Sequence, residues 1–574
     1  MATQRSHDRA QLPDPLTRIE AARREVGHTE VHRSVAQLLV GAFLMLIVGV
    51  PLAQLVVDPG FYTTARPAVR SAQDPAGQTR PRSALRALFD RNRSLLAAID
   101  QVDDLITDDS LVTNVIRPPT QYLLTTLLGT GTAQVHRGTQ GWLFYGPDVA
   151  YVTGNGFLTP AQLARRATRG DTRGAAEQPD PRPVIFDLHQ QLARRGIDLI
   201  VMPTPVKPGV HPERLTRRAR GSAGIARNPS YGSFVEELTR RGVLVFDVAT
   251  ELEGMKRATA EPLFLATDTH WRPDTVVLVA ERLASFIDQH ATLPGRPPTL
   301  YRTSQIVVSN SGDTLRLLDL PATQAAYPAE TVTLRQIASP DGEVWRGDQD
   351  ADVLLLGDSF ANVFSLDELG WGSAAGLAEQ LSFALQRPVD RIAQNDNGAH
   401  ASREALATEL GRGRDRLDGK RVVIFQFANR ELGQGDWRVV DLTVAAPPDL
   451  AAFVSPRPGL QLEVRGVVAE IGPVPRPRSV PYKDHIVGVH LTQIAAETAG
   501  PPVDGTEALV YLWSMQDDEL TPVADLRAGD PIHLRLEPWA DVANDLDGIN
   551  RGEVGNLSVR FAEPWWGQLV EDAR

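Results

Sequence analysis

The sequence predicts an α/β protein: a parallel sheet with helices on both faces, preceded by one N-terminal transmembrane helix and followed by a small all-β domain. Three observations carry this. An uncharged run lies near the N-terminus, apolar strands alternate with amphipathic helices through the middle, and short β-rich segments between Pro, Gly and Asp turns fill the last part. At 574 residues the chain is too long for one core, and roughly one domain per 100 to 200 residues implies two or three folded units.

The elements follow in chain order. Between Arg33 and Asp58 stand 24 uncharged residues, SVAQLLVGAFLMLIVGVPLAQLVV, enough for a helix through a hydrocarbon layer of about 30 Å. A cleaved signal peptide has a short basic lead and an apolar run of only about 7 to 15 residues, so an uncleaved anchor over 34–57 is the better reading. Arg18, Arg23, Arg24 and Arg33 precede the run, and no Lys or Arg follows it until Arg66. The positive-inside bias then makes 1–33 a cytoplasmic tail and puts everything after Asp58 outside the membrane. Residues 58–130 read as a linker and a stalk helix. The linker is the Pro, Gly, Arg and Gln-rich stretch 58–82, and the helix carries one apolar stripe of Leu85, Leu88, Leu95, Ile99, Val102 and Ile106.

From 131 to 440 strand and helix patterns alternate. GWLFYGPDVAYVTG (141–154) reads as a compact aromatic strand and turn. VIFDLHQQLARRGIDLIVMPTPVKPGVHPE (184–213) reads as a helix, a Gly196 stop, a buried strand and a Pro-rich loop. The unit repeats in YGSFVEELTRRGVLVFDVATEL, in DVLLLGDSFANVFSLDELG and in RVVIFQFANREL. In such sheets functional groups gather outside the carboxyl ends of the strands, where GDSF and FANR fall. From 441 to 574 the runs LQLEVRGVVAEIG, HIVGVHLTQI, ALVYLWSMQ and PIHLRLEPW read as strands with no helix between them.

Composition excludes several functions. The net charge of −12 argues against a nucleic-acid partner, and the skew by which only four of the 59 basic residues are Lys (Lys207, Lys256, Lys420, Lys483) reads as codon bias and not as a phosphate-binding surface. With no Cys, disulfides, thiolate metal sites and cysteine catalysis are ruled out. The carboxylates of NDLDGIN (544–550) are too few for a hard-cation loop, so a plain Asp-Gly turn is favoured. No metal or other cofactor is expected.

One constellation carries chemistry. Serine is a poor nucleophile until a base removes its proton, and the base works best when a carboxylate fixes its tautomer. Asp268 and His270, in ATDTHWRPD, suit the last two roles, because residues two apart on an extended segment project to the same side. Ser359 lies just past the apolar strand 352–356 and opens a helix whose N–H groups could steady an oxyanion. Each piece alone also reads as ordinary structure, Asp358-Ser359 as a helix N-cap and HWRP as the approach to a helix at 274–287.

Together these motifs resemble a known family. GDSF resembles the nucleophile block of the SGNH hydrolase superfamily, and DTHW upstream of it is similar to the alginate O-acetyltransferase branch of the AlgJ and AlgX type. GWLFY, GIDLIVMPTPVKPGVHPE, GDTLRLLDLP (312–321) and FANREL (427–432) extend the resemblance over roughly 131–440. It implies extracytoplasmic O-acetylation of a polysaccharide, beside a membrane-bound O-acyltransferase that supplies acetyl groups. It assigns Ser359 as nucleophile, His270 as base and Asp268 as its orienting partner. It also places Gly398 in a glycine block and Asn429 as an oxyanion donor. The family's Gly-x-Asn-Asp block reads Phe427-Ala428-Asn429-Arg430 here and its C-terminal Asp-x-x-His is absent, so Asn429 is equally readable as structural. Arg430 is readable as a ligand for an anionic sugar or as a partner of Asp436 or Glu431. An esterase with water as second nucleophile, and a polysaccharide-binding scaffold without catalysis, remain alternatives. Trp513, Trp539, Trp565 and Trp566 in the last domain suit sugar stacking or, for most of them, core packing; the neighbours Trp565 and Trp566 alternate sides, so at least one is expected to be exposed.

Overall fold

The computed structural model describes residues 33–44, 49 and 111–570, apart from the short stretches 169–177, 222–223, 396–397, 445–449, 478–479 and 497–504 and residues 220, 481 and 547. The chain divides into two units, Met1–Pro119 and Thr120–Arg574. In the first, a helix of 12 residues, Arg33–Leu44, covers the start of the uncharged run and exposes Val35, Leu38, Leu39, Val40 and Phe43. Among the described residues no helix is long and apolar enough to cross a membrane. The rest of the run except residue 49, the linker at 58–82 and the helix expected around 85–106 lie outside the described residues.

The second unit contains an α/β domain with a parallel sheet. Its strands are β1 (Val135–Arg137), β2 (Leu143–Tyr145), β3 (Asp198–Thr204), β4 (Leu244–Val245), β5 (Arg302–Asn310), β6 (Glu330–Ala338), β7 (Val353–Gly357), β8 (Asp390–Ala393) and β9 (Val422–Ala428). Five of them form one sheet in the order β4-β3-β9-β7-β8, with every neighbouring pair parallel. All five residues of β7 and all seven of β9 are buried. Successive strand residues point to opposite faces, so both faces of the sheet are covered.

The chain path leaves the middle of this sheet open for a site. From β3 it runs outward through the helix Tyr231–Arg240 to β4, and from β7 through the helix Leu377–Leu385 to β8. The last strand, β9, inserts between β3 and β7. Connections therefore diverge to either side of β9, and the carboxyl ends of β7, β9 and β3 meet at the switch point. Gly196 and Gly242, with φ of 70° and 83°, end the helices before β3 and β4.

Several elements differ from expectation. The segment after β2 is a helix, Gly146–Thr153, not a turn, because Pro147 at its start presets φ and Tyr151 finds a buried place. Between β4 and β7 lies an antiparallel hairpin of β5 and β6, paired from Arg302 with Ala338 to Asn310 with Glu330. Leu442 is buried in the α/β core, beyond the expected edge at 440.

The C-terminal region is barrel-like. Leu462–Ile471, His485–Ala496, Ala508–Gln516, Trp565–Leu569 and Pro531–Pro538 close into a ring, since the second and third of these pair with each other as well as with their other neighbours. Val464, Val489, Val510, Leu534 and Trp565 fill it. A helix, Trp539–Leu546, stands between strands where none was expected. Its Trp539 packs with Tyr511 and Trp566. That helix covers the outer face, so Trp565 and Trp566 are both buried, one inside the ring and one beneath the helix.

Candidate active site

Ser359 is placed by the end of β7. At Gly357 a Cβ would come 2.7 Å from that of Ala361 and 3.2 Å from Gln426 Oε1, so only glycine lets the chain turn here. Asp358 ties the turn to β9. Its carboxylate accepts from Phe360 N (2.9 Å), Gln426 Nε2 (2.9 Å) and Ala428 N (2.6 Å), and its own amide donates to Gln426 Oε1 at 2.9 Å. The helix that Ser359 opens is only four residues long. The amides of Phe360 and Ala361 are engaged by Asp358, so the expected row of open N–H groups shrinks to the serine's own turn.

Asp268 and His270 come from a loop that is bent, not extended. Phe264 and Trp271 bridge its ends. The Lys207 ammonium, fully buried, donates to the carbonyls of Leu265 (3.1 Å), Ala266 (3.2 Å) and Asp268 (2.6 Å). Glu330 of β6 accepts from Ala266 N at 3.0 Å and Thr267 N at 2.9 Å. Asp268 also folds back on its own chain, accepting from His270 N at 3.0 Å. The pairing that an extended segment was expected to supply comes from this local turn.

The three side chains form an unbroken line. Asp268 Oδ1 lies 2.7 Å from His270 Nδ1, and His270 Nε2 lies 2.9 Å from Ser359 Oγ. The other carboxylate oxygen of Asp268 accepts from Trp371 Nε1 (2.8 Å) and Asp313 N (3.0 Å). Burial pushes the Asp268 carboxyl up, but the facing imidazole and these hydrogen bonds outweigh it and hold the group well below the carboxylate range. Burial likewise pushes His270 down, and the Asp268 carboxylate more than offsets it, so the imidazole is raised. Asp313 stands 3.7 Å from His270 Nδ1 and accepts from Thr269 N at 2.7 Å. Burial, and the Asp268 charge beside it, raise Asp313 to about 7.

Among the described residues, Asp268, His270 and Asp313 are the acid and imidazole group with metal-ligand spacing, their atoms lying within 4.8 Å of one another. Those atoms already bond to each other and to N–H donors.

A cavity of about 350 Å³ opens over Ser359 and His270, walled by Tyr145, Asn395, Gly398, Arg430, Glu431 and Asp436. Gly398 has φ of 72°, and a Cβ there would sit 2.9 Å from Glu431 Oε2. Arg430 reaches the cavity, but its guanidinium donates to the wholly buried Asp148 at 3.2 Å and lies 3.6 Å from Glu431. It does not pair with Asp436, which binds Arg438 instead. Asn429 is not part of the wall: its amide donates to Thr204 O at 2.8 Å and its Oδ1 is buried without a partner.

Sequence reading passed over Lys207, Asp313, Glu330, Trp371 and Asp148. Lys207 had a signal, as one of four lysines in an arginine-rich chain. Asp313 follows Gly312 in a segment already singled out for its resemblance.

Residues 135–429, more than half of the chain, match the family model described as the SGNH hydrolase-like domain of the acetyltransferase AlgX. The chain belongs to this family. The AlgX-family chain is also similar to proteins described as probable alginate O-acetylase AlgJ. That of Pseudomonas fluorescens is 28% identical over 184 residues, 31% of this chain and 45% of its own length. That of Azotobacter vinelandii is 26% identical over 268 residues, 45% of this chain and 61% of its own. The chain thus spans about half the length of the curated relatives it matches. Among solved structures, the O-acetyltransferase domain of Pseudomonas putida AlgJ aligns at 20% identity and a TM-score of 0.39, covering 52% of this chain and 92% of that one. Pseudomonas aeruginosa AlgX aligns at 16% identity and a TM-score of 0.35, covering 70% of this chain and 90% of that one.

Proposed function

We propose that this AlgX-family chain is an O-acetyltransferase that carries an acetyl group on Ser359 and passes it to a polysaccharide hydroxyl. The observation that supports it above all is the line of hydrogen bonds from Asp268 through His270 to Ser359, ending in an open cavity. In the first step His270 Nε2 takes the Ser359 proton as Oγ bonds to the acetyl carbon of a donor ester, and the imidazolium returns that proton to the departing oxygen. In the second, His270 takes the proton of a sugar hydroxyl, whose oxygen attacks acetyl-Ser359. The serine leaves and is reprotonated. Asp268 keeps Nδ1 protonated and stabilises the imidazolium. Gln394 and Asn395 bring side-chain amides to the cavity wall as donors for a developing oxyanion.

The enzyme acts outside the membrane, tethered through 34–57, where a membrane-bound O-acyltransferase delivers acetyl groups. The uncharged run and the exposed apolar side chains of Arg33–Leu44 support that placement. The test is to trap the intermediate. After incubation with 4-nitrophenyl acetate and rapid acid quench, mass spectrometry should find an acetyl group on Ser359, and an added oligosaccharide should remove it as a sugar ester. Ser359→Ala and His270→Ala should each lower turnover by orders of magnitude, and the double variant by little more. Single variants within about tenfold of the parent, a barrier change of only about 1.4 kcal/mol, would sink the proposal. Acetate appearing with oligosaccharide left unmodified would make the protein an esterase.

A further inference from the structure

We propose that Trp371 is a positioning residue of the acyl transfer, whose indole N–H fixes the Asp268 carboxylate so that one oxygen faces the His270 ring. The kinetic part of this rests on the transferase reading. The torsion that turns an Asp carboxylate is soft and roughly two-fold, so its plane has to be held by hydrogen bonds. Oδ1 serves the chemistry, meeting His270 Nδ1 at 2.7 Å and accepting from His270 N at 3.0 Å. Oδ2 accepts from Trp371 Nε1 at 2.8 Å and from Asp313 N at 3.0 Å. Of these four donors, Trp371 is the one side chain from outside the triad.

An indole suits this place because it donates and cannot accept. A hydroxyl or an amide could take a proton from a neutral Asp268, whereas the Trp371 N–H favours the ionised acceptor and is one of the hydrogen bonds that hold that carboxyl low. The choice matters because the Asp313 carboxylate, 3.7 Å from the same His270 nitrogen, competes for it. The chain is shaped to deliver the ring. Trp371 stands between Gly370 and Gly372, with φ of 77° and 79°. A Cβ on Gly370 would come 2.5 Å from Asn310 Nδ2, and one on Gly372 would come 2.9 Å from Leu334 Cδ1, so the turn closes directly on the β5 and β6 hairpin. Asn310 Nδ2 also donates to Leu369 O at 3.3 Å. The Trp371 ring is fully buried and is not among the described residues lining the cavity, so its effect on the chemistry runs through Asp268.

The experiment uses the full chain in detergent and Trp371→Phe, which keeps an aromatic ring and removes the donor. Acetyl on Ser359 is counted by mass spectrometry at timed intervals after mixing with 4-nitrophenyl acetate. The maximal acetylation rate should fall about tenfold or more, the scale of one hydrogen bond to a charged group, while the ester concentration giving half that rate stays put. In an Asp268→Ala chain there is no carboxylate to hold, so adding Trp371→Phe should cost little more. An equal loss in both backgrounds would make Trp371 a packing residue and overturn the proposal. So would a folded Trp371→Phe chain that matches the parent, or one in which only the half-saturating concentration rises. Proton NMR keeps this apart from the transferase reading. The low-field signal of the proton between His270 Nδ1 and Asp268 should shift in Trp371→Phe whether or not Ser359 takes an acetyl group, and a signal left in place overturns the proposal by itself. Should Trp371→Phe not fold, the Asp268→Ala chain labelled with 15N-tryptophan takes its place. One indole N–H signal should move upfield from its position in the parent as the charged acceptor is lost, and a spectrum in which none moves overturns the proposal. Absence of acetyl on Ser359 of the parent is a different failure, of the transferase reading, and the NMR result then decides on Trp371.

Discussion

His270 has to be neutral to take a proton from Ser359, and its surroundings set the pH at which it is. Asp268 at 2.7 Å and Asp313 at 3.7 Å favour the imidazolium, while burial and the Arg430 charge oppose it, and the balance lies above the ordinary histidine value. Turnover should therefore fall as pH drops through that raised pKa, by about tenfold per unit well below it. Asp313 titrates near 7 in the same cluster, so the acid limb belongs to the three groups jointly. Asp313→Asn removes one negative neighbour while keeping an oxygen for the Thr269 amide. The acid limb of kcat/KM for a small acetyl ester should then move to lower pH. A limb that stays put, or moves up, would show that Asp313 does not act on His270. At this scale the sequence was legible where local motifs mark side chains that meet, as Asp268, His270 and Ser359 do. Asp313 was not, because its partner Thr269 lies 44 residues away and no local pattern encodes the meeting.

At the scale of elements, the active loop 263–271 is held by groups that are not part of the chemistry. Lys207 is the most exposed to test. It sits wholly buried over the rings of Trp142 and Phe144, and burial pushes its ammonium down to about 8 against the pull of Asp313, Asp268 and Glu330. Three loop carbonyls accept from it, and an orphaned buried polar group costs about 1–3 kcal/mol. Lys207→Met keeps the apolar stem and removes those donors. It should lower Tm and also kcat for a small ester, because the loop that aims Asp268 loses a tie; unchanged kcat in a folded variant would show that Glu330 and the Asp268 turn suffice. A similar strain test exists at Gly312. With φ of 77°, a Cβ there would meet Thr267 O at 2.3 Å, where the chain hands the Asp313 amide to Asp268. Strands β3, β7 and β9 were legible because a sheet covered on both faces needs continuous apolar runs. The β5 and β6 hairpin was missed for the opposite reason. Most of β5 is exposed, so RTSQIVVSN shows no buried stripe to read, although β6 supplies Glu330 to the loop.

For the molecule as a whole, the question is what the barrel-like region does for the α/β domain. The two meet in a seam that is partly apolar. Leu369 is buried with Tyr482 and Met515, and a Cβ on Gly411 would collide with the ring of Phe561 at 2.3 Å. Polar ties flank it: Arg412 donates to the Arg560 carbonyl at 3.0 Å, Arg414 pairs with Glu563, and Arg560 lies 3.7 Å from Glu404. Yet the described residues lining the cavity all fall between Tyr145 and Asp436. Removing the barrel should therefore cost stability and polymer use without removing the chemistry. The cut has to follow the core, because Leu442 is buried among α/β residues and its amide donates to Gln191 at 2.7 Å. A chain ended after residue 449 should show a lower Tm and a raised KM for an oligosaccharide acceptor, with kcat for a small acetyl ester within a few fold of the full chain, since no seam residue touches Ser359 or His270. The buried Trp539, Trp565 and Trp566 leave only the partly buried Trp513 of that group to stack on a sugar. Trp513→Ala should then raise KM for the polymer in the intact chain if the region binds glycan by stacking. A truncated protein with native circular dichroism and no ester turnover would mean that the barrel holds the active loop in its working shape across the seam. The polymer KM would then be the wrong place to look for its contribution.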